Sequence, residues 1–218
     1  MSRIYDQYCP VARALELVGE RWTLLVAREL LLGPRRFTDL MAGLPGVSAN
    51  VLASRLKDLE QEGMVARRML PPPAASAVYE LTDHAVGLVS VLAAMAEWGM
   101  TMLGEPRPDD EIRGEWIVLG LAVTAHAPDV IDGTTYELHI DGKVLHVQVR
   151  DGNLQPHQGP ADDSDAVVSL DATTLADLAL GRLDVDGALS AGRVTTEGDD
   201  GAARHLLTSF SGLPGGVT

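Results

Sequence analysis

Apolar side chains recur every three or four residues through the first hundred positions, and at alternate positions through much of the remainder. Those two periods predict helices first, then a mixture of strands and helices. Val11, Ala14, Leu15 and Val18 place a first helix from about Pro10, a residue suited to an opening helical position because its missing N–H is not needed there. A second helix spans about Arg21 to Leu32, with Trp22, Leu25 and Leu30 as core candidates, and Gly33-Pro34 stops it. Arg36 to Ala42 predicts a short third helix. After the turn Gly43-Leu44-Pro45-Gly46, Ser48 caps a fourth that runs to Glu62 and ends at Gly63, with Leu52, Leu56 and Leu59 on one face. Met64–Met69 and Val78–Leu81 read as strands, and Thr82 is expected to cap a long apolar helix reaching about Leu103.

Prolines and acids from Glu105 to Asp110 mark a linker, placed at 105–114. Beyond it, Trp116 to His126 admits a helix or a buried strand, the helix being preferred. Thr135–Ile140 and Lys143–Val149 alternate as strands around Asp141-Gly142, a pair suited to a tight hairpin turn. Asp151-Gly152-Asn153 is a second turn, expected to lead into a polar loop. Ala166–Leu170 reads as a strand, Asp171 as the cap of a helix to about Leu180, and Ala188–Ala191 as the start of a short helical piece. Val194–Gly198 closes the strands and Ala202–Phe210 the helices. The fold expected is α+β, with a first domain over 1–104 and a smaller mixed α/β domain over 115–218.

Charge sharpens that division. Of a net −14, residues 1–104 hold 10 Lys/Arg against 11 Asp/Glu, a balance of −1; residues 105–218 hold 7 against 20, a balance of −13. Nucleic-acid contact needs a local basic patch rather than a basic molecule, so only the first half is suited to it. One cysteine, Cys9, rules out an intrachain disulfide and suits a reducing cytoplasm. The N-terminus has no basic stretch leading into an apolar run and cleavage site, and a cytoplasmic location is expected. Ala85 to Gly104 is apolar, but Ser90, Glu97, Thr101 and three glycines make it a better central helix than a membrane span.

The third and fourth predicted helices have helix-turn-helix logic: one face of the second must pack while the other enters a major groove. Around the fourth helix Asn50, Ser54, Lys57 and Gln61 point away from the leucines, and Val51 flanks them. Asn pairs bidentately with adenine, Ser reaches a base edge or phosphate, and an apolar group meets a thymine methyl. Arg55 lies nearer the packed side, where it either reaches round to DNA or braces the fold. Ser48 and the helix N-terminus offer donors to phosphate, as do Arg35 and Arg36 before the third helix and Arg67 and Arg68 on the expected wing.

The stretches CPVARALELVGERWTLLVARELLLGPRRFTDL, LPGVSANVLASRLKDLEQEGMVAR and YELTDHAVGLVSVLAAMAEWG resemble the HxlR family of winged helix-turn-helix regulators from Cys9 to about Gly104. The resemblance implies a homodimer on double-stranded DNA, with the first helix and the long last helix of the domain at the interface. It also implies that residues 48–57 enter DNA and 64–81 form the wing. The segment Ala74-Ala75-Ser76-Ala77-Val78 departs from similar proteins, which usually carry an extra basic residue there. Cys9, before the first helix, is either a redox or electrophile sensor or a small packed residue at the dimer interface; proteins similar to this one include some that sense through a cysteine at this place.

In the second half, the hairpin, AVVSL, DATTLADLALGRL and ALSAGRVTTEGDDGAARHLLTSF come in the order of the sterol-carrier-protein superfamily, which they resemble. That implies a mixed sheet covered by helices, with an apolar cavity between them. Leu119, Val123, Leu138, Val147, Leu175, Leu178 and Leu206 are the candidate lining, or else plain core. The six histidines (84, 126, 139, 146, 157 and 205) lack metal-ligand spacing, though His139 and His146 are possible hairpin neighbours. No nucleophile elbow, phosphate loop or catalytic triad stands out, so neither a metal, a cofactor nor an enzyme is expected. The reading is a dimeric regulator, a repressor by preference, modulated by an apolar small molecule or through Cys9. Its rivals are a lipid or small-molecule carrier whose winged helix makes protein contacts, and an enzyme working in the second-domain cavity.

Overall fold

The computed structural model describes residues 4–72, 75–124 and 130–211. The chain divides between Leu92 and Ala93 into two compact units.

In the first unit, α1 (Pro10–Val18), α2 (Thr23–Leu31), α3 (Phe37–Gly43) and α4 (Ala49–Gln61) precede a hairpin of β2 (Val65–Met69) and β3 (Ala77–Leu81). Arg35 and Arg36, expected to lead into a helix, form the two-residue strand β1, which pairs antiparallel with β3 so that the sheet order is β1-β3-β2. Val26, Leu30, Leu40, Leu52, Leu56, Leu59 and Val65 fill the core. Gly43 ends α3 against the buried Glu29, whose carboxylate accepts from Arg28 at 2.8 Å.

Thr82 does not cap a long helix with its side chain. Its hydroxyl donates instead to the Gly63 carbonyl at 2.6 Å, and a 3-10 turn (Asp83–Val86) intervenes before α5 (Gly87–Met100). Nor is α5 buried on most sides. Leu88 is buried, while Val89, Val91, Met95 and Trp98 are exposed. On α1 the expected stripe is likewise open, with Val11 and Leu15 exposed and Ala12 and Val18 buried; Leu25 of α2, expected in the core, is exposed too. Helical period identifies an apolar face without saying whether its partner belongs to the same chain.

In the second unit, α6 (Gly114–Thr124) takes the helical alternative. Then come β4 (Thr135–Ile140), β5 (Lys143–Arg150), β6 (Asn153–Gln158), β7 (Ala166–Leu170), α7 (Ala172–Ala179), α8 (Val185–Ser190), β8 (Val194–Gly198) and α9 (Asp200–Ser209). The sheet order is β6-β5-β4-β7-β8, with β4 and β7 parallel and the other pairs antiparallel. Asp141 and Gly142 take positive φ angles of 50° and 76°, as the tight turn between β4 and β5 requires. The segment after Asp151-Gly152 is not a polar loop but the edge strand β6. Its Pro156 is tolerated at an edge, where one side of the strand needs no ladder donor.

Alternation along the strands sends Tyr136, Leu138, Ile140, Leu145, Val147, Val149, Val168 and Leu170 into one core with α6, α7, α8 and α9. Asp171, Asp184 and Asp199 cap α7, α8 and α9 by accepting from backbone N–H groups at 2.6, 2.6 and 3.0 Å. The opposite face is polar. His139 and His146 are diagonal rather than directly opposite neighbours on this face of the hairpin; His139 stands opposite Val144 and donates from Nε2 to Glu137 at 2.6 Å. His146 stacks on His157 of β6 with ring centroids 5.0 Å apart, and its Nδ1 donates to the Gly159 carbonyl at 3.0 Å. Ala161 N–H donates to Glu137 at 2.9 Å, so the connection from β6 to β7 crosses this polar face.

The stack makes a testable contribution to stability. Loss of water from its ring lowers the His157 pKa below the usual histidine value, helped by the nearby charges of His146 and Arg150. The residue as a whole stays exposed even though its ring is stacked on that of His146. A histidine held neutral in the folded state destabilises that state as pH falls through the ordinary histidine range, about 6.5. The unfolding midpoint of the second unit should therefore drop between about pH 7 and 5. His157→Gln should remove part of that drop, and an identical pH profile in the variant would show that the stack does not contribute.

Candidate nucleic-acid interface

The site is organised by α4. Its N-terminus is set by Ser48, whose backbone is extended (φ −87°, ψ 151°) and whose Oγ accepts from Val51 N–H at 3.3 Å. Leu52, Leu56 and Leu59 are 0%, 2% and 3% exposed, which fixes the rotation of the helix about its axis. With that face buried, Asn50, Ser54, Lys57 and Gln61 are exposed, and Val51 is exposed beside them. A polar face carrying an amide, a hydroxyl and an ammonium over about two turns supplies both base-edge and phosphate chemistry.

Around α4 the arginines divide into paired and outward-facing groups. Arg55 is half-buried and lies 3.4 Å from Asp58 and 3.8 Å from Glu20, which ties α4 to the segment before α2. This is the bracing arrangement of its two readings. Arg35 is half-buried in β1 and donates from Nε to the Glu29 carbonyl at 3.3 Å. Arg36 is exposed, and its backbone N–H donates to Asp39 at 3.1 Å. On the wing, Arg68 forks onto both carboxylate oxygens of Glu80 at 3.0 Å, and that hydrogen bonding holds the Glu80 carboxyl below its usual range. Arg67, one residue away on the opposite face of β2, is exposed and makes no ion pair among the described residues.

Residue order gives no sign of the Arg68–Glu80 pair, because the two residues lie 12 positions apart and meet diagonally across the β2–β3 register. It cancels one wing charge. Glu80→Gln should release Arg68, strengthen DNA binding about fivefold at physiological salt, and steepen the logarithmic salt dependence by about one unit per protomer. Unchanged affinity and slope in a salt series would show that Arg68 does not face the phosphates.

Sequence comparison bears on the same segment. Residues 17–106 match the profile of the HxlR-like helix-turn-helix family. The uncharacterized HTH-type transcriptional regulator YvaP of Bacillus subtilis is 37% identical over 94 residues, covering 43% of this chain and 87% of YvaP. The chain belongs to the HxlR-like helix-turn-helix family of transcriptional regulators.

A second relative of this HxlR-like chain, the HTH-type transcriptional regulator YodB of Bacillus subtilis, is 37% identical over 91 residues, covering 41% of this chain and 81% of YodB. The solved reduced form of YodB shares 33% identity over 46% of this chain and all of that one, with a TM-score of 0.40. Both relatives are named as regulators, not as enzymes. Residues 125–211 match the SCP-2 sterol transfer family, so this HxlR-like chain carries an SCP2 domain after its helix-turn-helix.

Cys9 occupies the N-cap of α1, half-buried, with its carbonyl accepting from Arg13 N–H at 3.0 Å. In the SCP2 domain, Leu138, Val147, Leu175, Leu178 and Leu206 come together in one core cluster, and Leu119 is also buried. The side chain of Val123 lies outside the described residues, as does His126. Among the described residues no group of three or more histidine, cysteine, aspartate or glutamate side chains could hold a metal ion, and no helix is long and apolar enough to cross a membrane.

Proposed function

We propose that the chain is a homodimeric transcriptional repressor that inserts α4 of each protomer into successive major grooves of a near-palindromic operator, about 34 Å apart. The observation that carries this reading is the division of α4, with a leucine face locked into the core and Asn50, Ser54 and Lys57 left outward behind a capped N-terminus. Arg36 and Arg67 add phosphate contacts, while Arg55 acts as a brace. Dimerisation is supported by the apolar residues exposed on α1 and α5, among them Val11, Leu15, Val91 and Trp98. Exposed apolar side chains grouped on helix faces mark a contact surface. Repression is preferred because a dimer seated on a promoter blocks polymerase without any further contact.

The second domain supplies the control input by holding an apolar small molecule. This rests on the SCP2 match, the SCP-2 family being named for sterol transfer, and on an aliphatic core rich in leucine. Such a ligand alters DNA binding only if it favours one arrangement of the dimer. Modification of Cys9 is a second input, supported by its place at the start of α1, one of the proposed dimer helices. Cys9→Ser should abolish any oxidant-induced release from DNA; release that persists unchanged puts the sensor elsewhere.

The test is binding of the purified chain to its own upstream DNA, with competitor DNA and a salt series. Saturable, sequence-selective binding that weakens with salt is the expected result. A folded dimer, stripped of ligand, that binds neither this region nor other genomic DNA selectively would overturn the reading in favour of a carrier whose winged helix makes protein contacts.

A further inference from the structure

Tyr136 stands on the core-facing side of β4, between Val147 of β5 and Ala166 of β7, with no exposed surface. Its ring is part of the aliphatic core, yet its hydroxyl is buried without a hydrogen-bond partner among the described residues. The Thr134 side chain lies close enough to oppose the rise in the phenol pKa, second only to burial in its effect, yet the pair falls short of a hydrogen bond. Leaving such a group unpaired costs about 1–3 kcal/mol, and a phenylalanine ring would fill the same space without that cost.

The surroundings define what would satisfy it. Burial pushes the Tyr136 phenol pKa up, and the Asp165 and Asp199 carboxylates push it further. The group therefore stays protonated and offers one O–H donor and acceptor lone pairs. Both carboxylates are already engaged: Asp165 accepts from Thr135 N–H at 2.8 Å and Asp199 from Ala202 N–H at 3.0 Å. They leave a negative field around the hydroxyl, in a half of the chain whose balance is −13. An anionic head group would be repelled there, whereas a neutral oxygen would not.

We propose that the Tyr136 hydroxyl is the polar contact for the apolar effector of the second domain, and that this effector carries a neutral alcohol or ketone oxygen rather than a carboxylate or phosphate. The inference rests on the reading that this domain holds an apolar molecule. Leu138 and Val147, which share the core face with Tyr136, would then lie along the hydrocarbon part of the ligand.

Decan-1-ol, decane and decanoate serve as probes, each titrated against the full chain by displacement of the neutral dye diphenylhexatriene. Tyr136→Phe is nearly isosteric, and its urea unfolding curve, run alongside, should show a stability equal to or above the parent's. In the variant, affinity for decan-1-ol should fall about tenfold while affinity for decane is unchanged, the fold-change expected for one lost neutral hydrogen bond. Decanoate should be the weakest ligand of the parent chain. An equal response of decan-1-ol and decane to the substitution, or decanoate binding better than decan-1-ol, overturns the role of Tyr136. An orphan hydroxyl satisfied only by a buried water would give the equal response. Failure of the parent chain to bind the dye and all three probes overturns the apolar-effector reading itself.

Discussion

Replacing Asn50 and Lys57 together with alanine is expected to weaken operator binding by at least about 100-fold, with the fold and the dimer intact. A bidentate amide–adenine pair is worth about 1–3 kcal/mol, and each half-site of a dimer loses one. A lost lysine–phosphate contact weakens binding to all sequences alike and flattens the logarithmic salt slope by about 0.9 per contact. The two single variants should therefore differ in kind: Asn50→Ala relaxes sequence preference at one base pair, and Lys57→Ala lowers affinity uniformly. Stability should hold, because both side chains are exposed and alanine favours helix. Leu56→Ala provides the contrast, since it removes a side chain only 2% exposed and costs about 2–5 kcal/mol of stability. A folded double variant with full operator affinity and sequence preference would remove α4 from the DNA.

Gly198→Ala should destabilise the second unit by about 3 kcal/mol, from the joint cost of a left-handed residue and a backbone displacement. Gly198 ends β8 with φ +84°, opposite Ala166 at the start of β7. A methyl group there would be driven onto the carbonyl oxygen of Asp165, a main-chain atom that also accepts from Asp199 N–H at 2.9 Å. The clash cannot be relieved by turning a side chain; either β7 and β8 separate or the start of α9 moves. Gly181 makes a fitting control. Its φ is +67°, but a methyl group there meets nothing within 4 Å, so Gly181→Ala should cost only the conformational penalty of about 1 kcal/mol. Urea unfolding of both variants isolates the contact by difference. Equal losses would show that the approach of Gly198 to Asp165 carries no weight.

Much of the candidate site's geometry could be read from residue order alone, because α4 is governed by local rules. Ser48 caps it, Gly63 ends it with φ +68°, and three leucines at helical spacing determine which residues face outward. The β4–β5 hairpin was legible for the same reason, with alternation in both strands and Asp141-Gly142 between them. The features that escaped depend on distant partners. The strand β1 is two residues long and exists because β3, more than 40 positions later, pairs with it. A proline hid β6, since its edge position is a property of the assembled sheet. The neutralisation of Arg68 by Glu80 comes from register, and Arg55 is drawn to Glu20 by the way α4 packs. The open apolar faces of α1 and α5 looked like core because periodicity marks an apolar face without saying what covers it.

The parallel pairing of β4 with β7 sets a timetable for the nascent chain. β4, β5 and β6 form a meander of neighbouring hairpins, each needing only a short loop to close. β7 must then reach past two strands to lie beside β4, and only afterwards can β8 add to it. Long-range pairing of this kind is slow compared with the local contacts of a helical unit. The helix-turn-helix leaves the ribosome before the second domain, while the later domain still carries an unclosed strand edge beside an apolar AVVSL segment. That interval is when the chain is most exposed to pairing with the wrong partner, so lower growth temperature or slower synthesis should raise the soluble yield of the two-domain chain more than that of its first domain.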